Sequence, residues 1–184
     1  MRKLKLQVQI SIDGYVAGPN GEMDWMVWDW DENLKKYAED ITENVDCIVL
    51  GRKLAQGFIP HWASHPMEEG ADKINNSKKV VFTKTLDKSE WDNTVLAKGN
   101  LADEITKLKK QNGKDIIVYG GATFVSELIK QGLIDEFHLF INPTAIGSGM
   151  TIFKEIEGKL NLTLVKSTSF DCGIVVLNYE MKPN

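Results

Sequence analysis

Cysteine is scarce in this chain, with two in 184 residues, and Cys47 and Cys172 stand far apart with no C-x-x-C and no Cys/His cluster around them. A disulfide framework is excluded on that spacing, and both are expected as free thiols. Histidine is scarce too: three residues, His61, His65 and His138. No apolar run approaches the ~20 residues that cross a bilayer, and the opening MRKLKLQVQISIDG alternates polar and apolar where a secretion signal has a continuous apolar stretch. A cytoplasmic protein with no membrane contact is the expectation. Positive charge is also lacking: 22 Lys+Arg against 26 Asp+Glu leave a formal net charge of −4, which argues against a surface built for nucleic acid. Neither G-x-G-x-x-G nor G-x-x-x-x-G-K-[ST] occurs.

What is present is alternation. Val- and Ile-rich runs at 3–12, 46–50, 79–83, 94–97, 115–119 and 135–142 alternate with helical spacing at 31–44, 101–110 and 122–131, the pattern of an α/β domain with a mostly parallel sheet. DCIVL and DIIVY lack polar alternation, so they are expected at the centre, covered on both faces. Two extended runs, 161–170 and 174–181, flank Asp171-Cys172-Gly173 and predict a C-terminal antiparallel hairpin. The length suits one domain over 1–184. The stretches 13–30 and 57–66 lack periodicity and are expected as loops, the second because of Gly57, Pro60 and Pro66. His61 and His65 form an i, i+4 pair that binds metal only on a helix, and the prolines argue against one; no metal site is expected. His138 falls in a strand and reads as structural.

Two strand ends carry glycine: Gly51-Arg52-Lys53 after DCIVL and Gly120-Gly121-Ala122-Thr123 after DIIVY. Each has two readings, a tight strand-to-helix turn or a place where a large ligand meets the main chain without a Cβ in the way. Arg52 and Lys53 at a helix start oppose the helix dipole, which favours an anion there.

These blocks, taken with Ser11-Ile12-Asp13-Gly14, Ala17 and Trp25 in the first loop, Val80-Val81-Phe82-Thr83, and Gly147-Ser148-Gly149, resemble the dihydrofolate-reductase-like superfamily over nearly the whole chain. The likeness is greatest to the C-terminal reductase domain of the bifunctional riboflavin-biosynthesis protein and its stand-alone relatives. The resemblance implies a three-layer fold and an NADPH-dependent reductase of the 5-amino-6-(5-phosphoribosylamino)uracil reductase type. It would act by hydride transfer to a small heterocyclic or ribosylamino substrate.

The cofactor would contact Ala17, Gly51, Arg52, Lys53, Tyr119, Gly120, Gly121, Ala122 and Thr123, with Thr83 and Lys84 on the adenosine 2′-phosphate. The Gly120–Gly121 peptide would be cis, as the superfamily typically has it. Asp13 is the candidate acid, with an Asx-type turn as its other reading. Trp25 and Asn142 are candidate substrate contacts. Trp28, Trp30 and Trp62 read as lining either the pocket or a subunit interface, and a homodimer is expected. The carboxylate that folate enzymes place early in the helix after the first loop has no clean counterpart: Asp31 and Glu32 read as capping charges. A pterin or dihydrofolate reductase and a non-catalytic nucleotide-binding module are the alternatives.

Overall fold

The first strand explains the layering. In LKLQVQI, Leu4, Leu6, Val8 and Ile10 are buried while Lys5, Gln7 and Gln9 on the other face are only half-buried. A strand with both faces in contact must have layers on both sides, and the computed structural model, which describes residues 1–182, shows them. The elements are β1 (Leu4–Ile10), α1 (Glu32–Glu43), β2 (Val45–Gly51), α2 (Arg52–Ser64), α3 (Ala71–Asn76), β3 (Lys78–Phe82), β4 (Thr94–Ala97), α4 (Leu101–Lys110), β5 (Asp115–Val118), α5 (Ala122–Lys130), β6 (Glu136–Ile141), β7 (Leu162–Ser169) and β8 (Val175–Met181). The eight strands form one sheet in the order β4-β3-β2-β5-β1-β6-β8-β7. From β4 to β6 all neighbours are parallel, and β8 and β7 are antiparallel additions.

Two apolar layers hold the helices to this sheet. On one face Ile105 and Leu108 of α4 and Val125, Leu128 and Ile129 of α5 pack on Leu6, Val8, Val49 and Val118. On the other, Leu34 and Ile41 of α1, Ala55 and Ile59 of α2 and Ile74 of α3 pack on Ile48, Leu50, Val81 and Ile117. Each fully buried aliphatic side chain contributes about 1.5–3 kcal/mol, so these layers dominate the cohesion. β2 and β5, the two runs without alternation, lie side by side in the middle of the sheet, as expected. The C-terminal hairpin is also present: β7 and β8 pair antiparallel, and the turn between them takes Gly173 at φ +92.

The stretch 57–66 is not a loop. It continues α2 to Ser64, with Pro60 inside the helix. Pro60 removes one N–H and points outward, while Ala55 and Ile59 are buried and Phe58 and Trp62 pack against the same layer. Burial of that apolar face outweighs the lost hydrogen bond. A further short helix, α3, follows it.

Candidate active site

All parallel strands deliver their carboxyl ends to one side of the sheet, and the helices that follow them begin there. Of the four helices longer than eight residues that start at this end after a strand or its loop, two are capped by their own side chains. Asp31 accepts from the N–H groups of Asn33 and Leu34 at α1, and Asn100 from those of Ala102 and Asp103 at α4; each helix has an acid in its first turn. The other two, α2 and α5, start at Gly51 and Gly121 with no side-chain cap and no acid in the first turn. Their leading N–H groups and positive dipole ends are left for something else to satisfy.

The cations at this end add to that. None of Arg52, Lys53 and Lys84 enters an ion pair among the described residues. The register Gly51↔Phe82 makes Arg52 and Thr83-Lys84 neighbours at adjacent strand ends. Thr83 is buried, and its hydroxyl oxygen accepts from the N–H groups of Thr85 and Leu86, both at 3.1 Å, which fixes the turn that presents Lys84. From β3 across β2 and β5 to β1 is three strand spacings, roughly 14 Å, a span suited to an extended, dinucleotide-sized ligand.

The two glycine turns need glycine for different reasons. Gly120 and Gly121 sit at φ +149 and +83, where side chains are strained, yet a Cβ on either would meet nothing nearer than 3.7 Å. Gly51 has an ordinary φ of −74, but a Cβ there would stand 3.0 Å from Cβ of Phe124. The first pair is conformational; the second is a packing contact that locks α5 against the β2–α2 turn. The Gly120–Gly121 peptide is trans, contrary to the superfamily expectation: no peptide among the described residues is cis, and positive φ at both glycines turns the chain instead. Tyr119 is half-buried and stacks on Phe58 of α2 at 5.6 Å, with burial pushing its phenol pKa up. Ala122 and Thr123 form the first turn of α5, Ala122 half-buried and Thr123 exposed.

The first loop is tethered at three places. Asp13, itself exposed, accepts from the Ser11 hydroxyl at 2.6 Å and from the N–H groups of Ile146 and Gly147 at 3.1 and 2.7 Å. The Ser11 hydrogen bond, followed by those from the backbone, holds its carboxyl below the usual range, so at neutral pH it is a carboxylate engaged with loop 144–147 and not a proton donor. This clamp reaches across to another loop, so it is wider than an Asx turn. Ala17 bridges Met150, and a Cβ on Gly149 would come within 2.2 Å of the Ala17 carbonyl oxygen, which explains that glycine. Asn142 is fully buried: its Oδ1 accepts from the Val27 N–H at 2.7 Å and its Nδ2 donates to Gln9 and to the Phe140 carbonyl. With both ends of the amide engaged and no exposed surface, Asn142 positions the loop.

Trp25 is half-buried near the loop tip, its Nε1 donating to the Glu22 carbonyl. Trp30 stacks on Phe140 at 5.6 Å and Trp62 packs edge-on to Phe58, both as core, while Trp28 is 63% exposed. Asp31 is spent: besides capping α1 it accepts from the Cys172 N–H. Both cysteines are free thiols, and His138 is buried in β6 against Tyr37 and Glu136. Two surface depressions of about 430 and 280 Å³ open at the opposite end of the sheet, bordered by Arg2 and Lys109 and by Asp46, charges that already have partners.

The uncapped helices would have been legible from Gly where Ser, Thr, Asp or Asn usually stands. The Gly51–Phe124 lock and the Asn142 tether had no local signal.

A sheet of this order, with its antiparallel hairpin and its uncapped helix starts at Gly51 and Gly121, is a dihydrofolate-reductase-like fold. Dihydrofolate reductase from Enterococcus faecalis, complexed with NADP(H) and RAB-propyl, superposes with a TM-score of 0.65 at 17% identity over 98% of this chain and 97% of that one. Within that fold, the chain belongs to the family of the RibD C-terminal domain, whose model matches residues 2–176. The uncharacterized protein YyaP of Bacillus subtilis (strain 168) is 35% identical over 97% of this chain and 95% of its own length. The diaminohydroxyphosphoribosylaminopyrimidine deaminase/5-amino-6-(5-phosphoribosylamino)uracil reductase of Thermotoga maritima superposes with a TM-score of 0.72 at 15% identity, covering 98% of this chain and 57% of that one. Among the described residues no helix is long and apolar enough to cross a membrane.

Proposed function

We propose that this protein is an NADPH-dependent reductase of the riboflavin-pathway type, delivering hydride to a small heterocyclic or ribosylamino substrate resembling 5-amino-6-(5-phosphoribosylamino)uracil. One observation carries the reading: the two helices that begin at the glycine turns are the uncapped ones, and unpaired cations stand beside one of them. That combination fits a pyrophosphate shared between the Gly51-Arg52 and Gly120-Gly121 turns, with Lys53, Ala122 and Thr123 flanking it. Thr83 and Lys84, two strands away from β5, suit a second phosphate on the adenosine side. Family membership supports the same assignment.

The cofactor supplies the hydride when bound, so the protein's task is to bind, orient and keep water out. Tyr119 on Phe58 forms a rigid wall beside the Gly120 turn. Ala17 and Trp25, on the loop fixed by Asp13 and Asn142, cover the acceptor end. Asp13 acts by holding that cover in register, so Asp13→Asn lowers turnover while NADPH affinity stays intact. Dihydrofolate is disfavoured as substrate because the Asp31 carboxylate is fully committed to backbone N–H groups. The enzyme works in the cytoplasm as a homodimer; β7, at the sheet edge with Leu164 and Val165 more than half exposed, offers a surface for pairing.

The test is NADPH oxidation by the purified protein with the ribosylaminouracil substrate and, separately, with dihydrofolate, with product identification. Turnover of the first and not the second is expected. Turnover of dihydrofolate would move the chain to the pterin reductases, and binding of NADPH without turnover of any acceptor would make it a nucleotide-binding module.

A further inference from the structure

Helix α2 begins at the candidate active site and ends, thirteen residues on, in a different kind of site. Because α2 runs to Ser64, His61 in its last turn and His65 at its C-cap lie one above the other, their rings stacked at 4.5 Å and 25°. The chain then turns sharply: the Glu68 N–H donates to the His65 carbonyl and the Ala71 N–H to the Glu68 carbonyl. This turn folds Glu68 back over the helix end, with its Oε2 3.1 Å from Nε2 of His61. One ligand atom from each of His61, His65 and Glu68 lies within 4.8 Å of the others, and all three residues are exposed.

The tautomer of His65 is set by the backbone. Its Nδ1 is 2.8 Å from the His61 carbonyl oxygen and 3.0 Å from Oγ of Ser64; the carbonyl only accepts, which favours the proton on Nδ1 and a lone pair on Nε2. A hydrogen bond of this kind on the second ring nitrogen is what orients a metal-ligating histidine. A tetrahedral ion with bonds of about 2.0–2.2 Å places its ligand atoms roughly 3.3 Å apart, and the His61–Glu68 pair already has that separation. The His65 ligand atom lies within 4.8 Å of both.

We infer that His61, His65 and Glu68 form a binding site for a divalent transition-metal ion of the zinc class, with water in the remaining position. Two imidazoles and one carboxylate suit zinc, and a set of three leaves the ion open to solvent. On binding, the ion takes the place of the proton on Nε2 of His61, and the neutral ring keeps its one proton at Nδ1, the exchange between the two nitrogens passing through solvent.

Titration of the untagged protein with Zn²⁺ by calorimetry, and with Co²⁺ by visible absorption, tests this. One equivalent per chain is expected, with a four-coordinate Co²⁺ spectrum and a melting temperature that rises with added Zn²⁺. His61→Ala and His65→Ala should each weaken binding at least tenfold, and Glu68→Gln by about tenfold, without altering the helical circular dichroism. The melting shift should vanish in His65→Ala. Absence of binding, unchanged affinity in His65→Ala, or unchanged affinity in Glu68→Gln, which would leave a bare histidine pair, would each overturn the assignment.

Discussion

The two ends of the parallel sheet are built on opposite principles. At the end where the strands begin, charges come in pairs: Arg2 with Asp46, Lys5 with Asp115, Lys109 with Asp135, and Lys3 with Glu136 and Glu180. At the end where they finish, Arg52, Lys53 and Lys84 have no such partner and two helices have no cap. On the reading proposed above, the paired charges serve stability and the open ones binding. Substitutions at the two ends should therefore separate melting temperature from cofactor affinity.

The largest effect is expected at the finishing end. Gly121→Val puts a β-branched side chain at φ +83 and into the proposed ligand's path, and NADPH affinity should fall by about a hundredfold or more, roughly 2.8 kcal/mol at about 1.4 kcal/mol per tenfold. Unchanged affinity in a folded variant would break the contrast. Gly51→Ala should instead act on stability, because its Cβ meets Phe124 at 3.0 Å; overpacking of this kind costs about 1–3 kcal/mol, read as a lower melting temperature.

At the beginning end, Glu136 is the group to test. A hydrogen bond from His138, followed by Lys3, lowers its pKa from 4.5 to about 2. A carboxyl depressed in the folded state contributes its full stability above the unfolded pKa and loses it as pH falls through the folded one. The wild type should thus lose on the order of 2 kcal/mol between pH 4.5 and 2. Glu136→Gln should flatten that slope in acid melts while NADPH affinity stays the same. The smallest effect is Lys84→Ala, about tenfold weaker NADPH binding from the loss of one charge-assisted contact, with NADH binding and melting temperature unmoved. Equal losses for both cofactors would remove Lys84 from the 2′-phosphate.

Most of the sheet was legible in the sequence because Val and Ile runs declare buried strands, and DCIVL and DIIVY without alternation declared the central two. α2 was not, because Gly57 and Pro60 are read locally while the burial of Ala55 and Ile59 that overrides them is set by the sheet beneath. The approach of His61 to His65 was missed along with it, since the two rings stack only where that helix ends. Glycine turns were found, but not why each is glycine: Phe124 reaches Gly51 from 73 positions away in the chain. Asp13 was read as the candidate acid and Asn142 as a substrate contact because both are polar residues at strand ends; in the structure each ties one loop to another. Their partners, the N–H groups of Ile146, Gly147 and Val27, depend on how two loops meet and leave no trace in either segment.

Those tethers fix how the first loop moves. Val16 donates to the Met150 carbonyl at 2.8 Å and Val27 to buried Asn142, so both ends of the segment between them are pinned. Only the tip around Pro19 to Met26 is left to swing. In hydrogen-exchange terms, the amides of Val16 and Val27 should be protected for as long as the sheet itself stays closed, while those of Gly21 to Asp24 exchange on the timescale of ordinary loop motion. Substrate would then enter by a short flap opening in nanoseconds to microseconds, with no need for the loop to leave the sheet.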